Sequence, residues 1–193
     1  MLRIGVLALQ GDFAEHASML RQIHAEPVEV RKPEHLNGLR GLIMPGGEST
    51  AMRRLADRSG MFEPLREFVK STPTWGTCAG AILLAKEIEG QEAHLAVMDM
   101  RVIRNAFGRQ IDSFITTLTV QGLDDPLRAV FIRAPIIASV APHVQVLSKL
   151  DDGRIVAARQ GHLLATSFHP ELTPDTRLHA YFLQMCFQRA VVA

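Results

Sequence analysis

Residues 73–85, PTWGTCAGAILLA, combine an apolar strand pattern, a turn of small residues and an apolar helix pattern. The first four residues predict a strand and the last five predict a helix. Gly76 and Gly80 flank the turn, where glycine leaves room for a sharp bend from strand to helix. The G-x-C-x-G pattern therefore predicts that Cys78 lies at the carboxyl end of a strand and at the start of a helix.

Two other glycine-containing turns follow apolar strand patterns in the same way. The strand pattern 2–9 ends at Gln10-Gly11, and the pattern 41–44 continues into Pro45-Gly46-Gly47. In an open parallel sheet, such turns lie at the carboxyl ends of the strands, where ligands bind. Together with the turn at Cys78, they predict a ligand site at these strand ends.

The second half of the chain is rich in strand patterns, which cover 95–103, 111–120, 129–133, 143–148, 154–158 and 163–168. Helix patterns cover 13–23, 49–58, 61–70, 81–85 and 175–189. Asp12, followed three residues later by Glu15, is expected to cap the first helix. The elements predict an α/β fold with a single domain, residues 1–193. Its open mixed sheet is parallel in the first half and carries helices on both faces.

The composition excludes several classes of protein. With 47% apolar and 21% charged residues, the chain is an ordinary globular protein, and its net charge of 21 − 20 = +1 does not favour nucleic acid or a membrane as partner. No apolar run reaches the roughly 18 residues of a membrane helix, and no signal peptide is present, which predicts a cytoplasmic protein. The histidines lack metal-binding motifs, so we expect no metal.

The sequence offers a nucleophile and a base for covalent catalysis. A helix N-terminus stabilises a thiolate at Cys78, and His169 with Glu171 follows the strand pattern 163–168. A thiol nucleophile needs such a base and a group that orients it. The alternatives are a structural cysteine beside a tight turn and a structural histidine. Cys186, among apolar residues of the last helix, is expected to be core.

The segment GGEST, residues 46–50, lacks the lysine of a phosphate-binding loop. Backbone N–H groups of Gly47 and Ala79 are expected to bind an oxyanion. Glu48 and Ser49 would offer polar groups to a small substrate. A turn that only caps the following helix is the alternative.

These motifs are similar to those of the class I, triad-type glutamine amidotransferases. More specific segments resemble the glutaminase subunits of pyridoxal 5′-phosphate synthases; they are LALQG (7–11), LIMPGGEST (42–50), RNAFGRQ (104–110), FIRAP (131–135) and SFHPEL (167–172). The G-x-C-x-G turn at residues 76–80 and the His-Pro-Glu sequence at residues 169–171 alone specify only the superfamily. The segments GGEST, FGRQ and FIRAP, in this order, specify the subunit.

The resemblance implies a flavodoxin-like fold and a glutaminase with a Cys78–His169–Glu171 triad and no cofactor. Such an enzyme hydrolyses L-glutamine to L-glutamate and ammonia through a thioester on Cys78. It delivers the ammonia to a synthase partner that makes pyridoxal 5′-phosphate (vitamin B6). The implied glutamine pocket comprises Gly46, Gly47, Glu48, Ser49, Arg104, Ile132 and Arg133. Ile136 departs from the family pattern, in which histidine is expected.

Two other functions stay open at this point. One is a glutaminase that serves another acceptor, such as the imidazole glycerol phosphate branch of histidine synthesis, although FGRQ and FIRAP argue against it. The other is a regulatory protein that uses Cys78 as a redox sensor, which would not need His-Pro-Glu. For an enzyme with a partner, Gln10 is the residue expected to couple partner binding to the loop that carries Gly47.

Overall fold

The parallel half of the sheet consists of four strands from the first part of the chain. The computed structural model describes residues 1–105 and 113–190, so residues 106–110 of the RNAFGRQ segment lie outside the described residues. The strands are β1 (Arg3–Leu7), β2 (Glu26–Val30), β3 (Gly41–Met44) and β4 (Thr74–Thr77). They lie in the order β2-β1-β3-β4 with parallel pairing. Strands β3 and β4 are buried along their whole length, as expected of a parallel sheet covered on both faces.

The sheet continues beyond β4 with strands from the second part of the chain. These are β5 (Ala85–Ile88), β6 (Met98–Ile103), β9 (Ile136–Val140), β10 (Gln145–Lys149), β11 (Ile155–Gln160) and β12 (Leu163–Thr166). The order after β4 is β12-β11-β9-β6-β5, and β10 also pairs with β11. Strand β12 is parallel to β4, whereas β11 is antiparallel to its neighbours. Strands β7 (Ser113–Leu118) and β8 (Leu127–Ile132) form a separate antiparallel pair. The predicted open mixed sheet is confirmed.

Helices cover both faces of this sheet. They are α1 (Phe13–Gln22), α2 (Ser49–Arg58), α3 (Phe62–Ser71), α4 (Ala79–Leu84) and α5 (Arg177–Ala190). Side chains of α2, α3 and α4 share one buried cluster with Leu42 of β3, and side chains of α1 and α5 share another with Ile43. Successive strand residues point to opposite faces, so the two clusters are the two sides of the sheet. Within the described ranges, no helix is long and apolar enough to cross a bilayer.

The structure differs from the sequence prediction in two strands and one helix cap. The sequence pattern places Ala85 at the end of a helix and predicts neither β5 nor β9; at the outer side of β6, β5 has only two buried residues, Ala85 and Ile88. Asp12 lies at the N-cap of α1 but makes no side-chain capping hydrogen bond. Its carboxylate contacts His169 instead, at 3.3 Å from Nδ1. The predicted side-chain cap is therefore wrong, because the carboxylate of Asp12 contacts the imidazole of His169, a residue distant in sequence.

Candidate active site

The turn at Cys78 is a strained strand-to-helix elbow. Cys78 is the N-cap of α4 and has φ 49° and ψ −105°, a conformation that costs energy for a residue with a Cβ atom. A Cβ atom on Gly76 would overlap the backbone of Gly80, and one on Gly80 would overlap the carbonyl oxygen of Met44. Both glycines are therefore needed for the tight approach of α4 to the sheet. The elbow directs Cys78 into a cavity at the strand ends.

His169 follows β12 and reaches the same cavity. Its backbone N–H donates to the carbonyl oxygen of Val130 in β8 at 2.8 Å, which ties it to the β7–β8 pair. Its Nδ1 lies 2.7 Å from Oε1 of Glu171, which is buried in a short 3₁₀ turn, Pro170–Leu172. A carboxylate can only accept, so Nδ1 carries the proton and Nε2 is left as the basic nitrogen. Nε2 is buried and has no hydrogen-bond partner among the described residues.

The acidic groups around His169 favour its protonated form. Burial alone would lower the pKa of His169, but contacts with Asp12, Cys78 and Glu171 outweigh burial and raise it. Burial raises the pKa of Glu171, although its contact with His169 opposes this shift. The same imidazole lowers the pKa of Asp12. The arrangement can therefore stabilise an imidazolium, the charged form that arises when His169 takes a proton from a nucleophile.

The cavity has a volume of about 460 Å³ and contains most of the predicted site residues. Those that line it are Gln10, Gly47, Glu48, Ser49, Cys78, Ala79, Arg104, Ile132, Arg133 and His169. Gly46 and Glu171 do not line it. Gly46 packs so closely on the imidazole of His169 that a Cβ atom would overlap the ring, and Glu171 contacts Nδ1 of the same ring. Asp12, Ile82, Asn105 and Leu172 also line the cavity and were not predicted. Ile136, which departs from the family pattern, is buried in β9 and is not among the lining residues.

Glu48 shapes the cavity wall and caps a helix at once. Its two carboxylate oxygens accept from the N–H groups of Thr50 at 2.9 Å and Ala51 at 2.7 Å, at the start of α2. Arg104 lies 3.1 Å from the same carboxylate. Burial raises the pKa of Glu48, but these N–H groups and Arg104 outweigh it and hold the pKa below its usual value. Glu48 therefore caps α2 and also lines the cavity, so the turn does more than cap the helix, and the role of Glu48 toward a substrate stays a prediction.

Gly47 occupies a backbone conformation that suits glycine, with φ 148°. The adjacent N–H, that of Glu48, donates to the side-chain oxygen of Gln10 at 2.8 Å. A Cβ atom on Gly47 would overlap that oxygen. Gln10 therefore holds the peptide that follows Gly47. The role of the Gly47 and Ala79 N–H groups as an oxyanion hole stays a prediction, as does the coupling role of Gln10.

The second cysteine lies in a different environment. Cys186 is buried on α5 and packs against Gly41, where a Cβ atom would overlap its sulfur. Burial raises the pKa of its thiol to about 12, which keeps it protonated at neutral pH. Among the described residues, one group of three could hold a metal ion, namely Asp12, His169 and Glu171, whose ligand atoms lie within 4.8 Å of one another. A metal ion there would compete with the Nδ1 proton of His169.

A mixed α/β sheet with a cysteine elbow and a His-Glu pair at its strand ends is the architecture of the triad-type glutamine amidotransferases. Residues 6–188 match the SNO glutamine amidotransferase family, and the chain belongs to this family. The resemblance seen in the sequence is confirmed.

Similar proteins support the assignment to this family over nearly the full chain. The chain is 55% identical to the pyridoxal 5′-phosphate synthase subunit PdxT of Halalkalibacterium halodurans, over 100% of this chain and 99% of that protein. It is 54% identical to the PdxT subunit of Shouchella clausii, over 99% and 98% of the two chains. A crystal structure of a glutamine amidotransferase superposes with a TM-score of 0.89 at 51% identity, covering 95% of this chain and 98% of that one.

Proposed function

We propose that the chain is the glutaminase subunit of a pyridoxal 5′-phosphate synthase. It hydrolyses L-glutamine to L-glutamate and ammonia and delivers the ammonia to the synthase subunit. The observation that carries this proposal is the entry of Cys78 and His169 into one cavity, with Glu171 2.7 Å from the imidazole. The names of the relatives and the family match support the substrate and the pathway.

In the first half-reaction, Nε2 of His169 takes the proton of the Cys78 thiol. The thiolate attacks the side-chain amide carbon of glutamine, and the amide oxygen becomes an oxyanion that the N–H groups of Gly47 and Ala79 stabilise. The intermediate collapses as His169 gives its proton to the leaving nitrogen. Ammonia departs and a γ-glutamyl thioester remains on Cys78.

In the second half-reaction, neutral His169 takes a proton from water. The resulting hydroxide attacks the thioester carbon, and the second oxyanion occupies the same N–H groups. Collapse breaks the carbon–sulfur bond, and the thiolate recovers its proton from His169. Glu171 orients the imidazole and stabilises its charged form in both halves.

The charges on the cavity wall suit the zwitterionic end of glutamine. Glu48 provides a negative charge for the α-ammonium group, and Arg104 provides a positive charge close to it for the α-carboxylate. Glu48 and Arg104 already pair with each other, so the substrate enters an existing pair of opposite charges. Gly47, Ser49, Ile132 and Arg133 complete the proposed pocket, and Gly46 supports it from behind, against the imidazole of His169.

A partner would cover the apolar rim of this cavity. Ile132 and Leu172 line the cavity and are 40% and 41% exposed, although both are large apolar side chains. Covering the rim would shield ammonia from water, where it is protonated at neutral pH and is no longer a nucleophile. Residues 1–193 are proposed to form one glutaminase domain, and a cytoplasmic location stays a prediction.

The test follows nitrogen from substrate to product. The chain is mixed with a pyridoxal 5′-phosphate synthase subunit, its pentose and triose phosphates and glutamine labelled with 15N in the side-chain amide. We expect 15N in the pyridine ring and one glutamate for each nitrogen transferred. Glutamate formation without 15N in pyridoxal 5′-phosphate would favour another acceptor, and no glutamate formation at all would refute the glutaminase.

A further inference from the structure

A second set of buried polar side chains lies next to the triad, and the proposed mechanism does not use it. His16 of α1, Thr77 of β4 and His179 of α5 are each 0% exposed. None of the three lines the cavity that holds Cys78 and His169. Buried polar groups of this kind cost stability unless they are paired, so their contacts should account for their presence.

These side chains connect the carboxylate of the triad to the last helix. Nε2 of His16 lies 3.3 Å from Oε2 of Glu171 and 3.1 Å from the hydroxyl of Thr77. Nδ1 of His16 lies 2.9 Å from Nε2 of His179. Oε2 of Glu171 is buried and makes no hydrogen bond of standard geometry among the described residues, and His16 Nε2, at 3.3 Å, is placed to supply the missing donor.

Both histidines are neutral in this environment. Burial lowers the pKa of His16 well below its usual value, and nearby His179 and His169 lower it further. Burial also lowers the pKa of His179 to about 3, although Asp175 opposes that shift. Two neutral imidazoles each carry one ring proton, so one of two proton arrangements must apply.

The contacts distinguish the two arrangements. If Nδ1 of His16 carried the proton, it would donate to His179, and the bare Nε2 could accept from the hydroxyl of Thr77 but would face the carboxylate of Glu171 with its lone pair. His179 would then bury a proton on Nδ1, an atom without a hydrogen-bond partner in the described structure. If Nε2 of His16 carries the proton, that proton lies between the hydroxyl of Thr77 at 3.1 Å and Oε2 of Glu171 at 3.3 Å, and Nε2 of His179 donates to Nδ1 of His16. In this arrangement the unpaired Nδ1 of His179 carries a lone pair and no proton. Unpaired buried donors are rarer in proteins than unpaired buried acceptors, so this arrangement is favoured.

We propose that His16 is a positioning residue for the reaction, which donates its Nε2 proton to Oε2 of Glu171 and thereby holds the carboxylate on His169. His179 fixes the required tautomer of His16. This inference rests on the proposed glutaminase function for its activity readouts. Glu171 has one oxygen on His169 and one on His16, so rotation of the carboxylate would break both contacts.

The proposed contact also affects the charge of Glu171. Among the described residues, the titratable groups that act on this carboxylate are His169, His16 and Asp12. His169 lowers the pKa of Glu171, and the negative charge of Asp12 raises it. A hydrogen bond to the charged form of a carboxyl group lowers its pKa, so loss of the His16 donor raises the pKa of Glu171. On the acid side of the pH profile, the carboxylate would then be protonated at a higher pH.

Two amide substitutions at His16 form a matched pair. His16→Gln places an amide nitrogen near the position of Nε2 and can still donate to Glu171. His16→Asn places its amide near the position of Nδ1 and cannot reach Glu171. With the synthase subunit and saturating glutamine, we expect kcat within about threefold of wild type for His16→Gln and a loss of about tenfold or more for His16→Asn, the order expected for one hydrogen bond to a charged group.

The pH profile separates positioning from a purely structural role. The acid limb of kcat should move to higher pH in His16→Asn and stay in place in His16→Gln, with little change in KM for either variant. Trp75→Phe is the control, because Trp75 packs against both His16 and His179, and its indole N–H donates to the hydroxyl of Thr166. It should lower stability and leave the acid limb unchanged. Equal kcat and pH profiles for the two His16 variants would overturn the proposal.

A readout without turnover keeps this test separate from the glutaminase assay. In wild-type protein labelled with 15N, imidazole chemical shifts should show His16 neutral with its proton on Nε2. A proton on Nδ1 would overturn the proposal even if every variant folds poorly. If wild type releases no glutamate but shows the expected tautomer, the proposed function fails while the contact of His16 with Glu171 stands.

Discussion

The side-chain oxygen of Gln10 accepts a hydrogen bond from the backbone N–H of Glu48 at 2.8 Å. This contact joins the end of β1 to the loop after β3, whose strands are neighbours in the sheet. The loop carries Gly47, whose N–H is the proposed oxyanion donor. Gln10 holds the peptide that follows Gly47, so we expect its position to influence the backbone conformation of Gly47 and the direction of the Gly47 N–H.

Gln10→Ala should weaken activation by the synthase subunit. Removal of the side chain frees the peptide after Gly47 and thereby loosens the orientation of the Gly47 N–H. Complete loss of one oxyanion donor costs about 10² to 10³ in rate. We expect kcat with the partner to fall about tenfold or more, with little change in KM for glutamine. Steady-state glutamate release at saturating partner measures this.

Gln184→Ala is the matched control, since Gln184 is exposed on α5. It should retain the activation seen in wild type. The unmodified chain alone should hydrolyse glutamine slowly; equal kcat with and without the partner would mean that the oxyanion hole is already formed in the free chain.

Cys78→Ala should abolish glutamine hydrolysis, whereas Cys186→Ala should keep most of it. Only Cys78 lies in the cavity beside His169, and loss of a triad nucleophile costs about 10⁴-fold or more. A glutamine analogue with an electrophilic side chain should label Cys78 alone, as measured by peptide mass spectrometry. A label on Cys186, which is buried in the core, would contradict the mechanism.

His169→Asn should remove nearly all turnover, by about 10³-fold or more, because it removes the imidazole that shares the cavity with Cys78. Glu171→Gln should keep a kcat about 10²-fold higher than that of His169→Asn. An amide oxygen can still accept from Nδ1 but cannot stabilise the imidazolium. Single-turnover measurement of ammonia release tests both variants. Wild-type kcat in both would mean that the His-Glu pair is structural.

The sequence predicted the elbow, the His-Glu pair and the turns at the strand ends because each is a local pattern. It did not predict β9, whose place between β6 and β11 depends on pairing with residues distant in sequence. The same limit applies to the role of Asp12. Its spacing to Glu15 is typical of a helix cap, and only the fold brings His169 close enough to compete for the carboxylate. The contact between His16 and His179 joins residues 163 positions apart and leaves no local signal.

Asp12→Asn should lower the pKa of His169. The carboxylate of Asp12 lies 3.3 Å from Nδ1, and its negative charge favours the protonated imidazole, so an isosteric neutral amide removes part of that support. Glu171 stays in place at 2.7 Å and should keep the ring oriented, so kcat near neutral pH should change by less than about tenfold. Titration of the His169 ring by NMR in Cys78→Ala protein, with and without the Asp12 change, measures the shift without interference from the thiol. Asp151→Asn, an exposed substitution in the turn between β10 and β11, should leave the titration unchanged. An unchanged or higher pKa in Asp12→Asn would show that the Asp12 carboxylate does not act on the catalytic base.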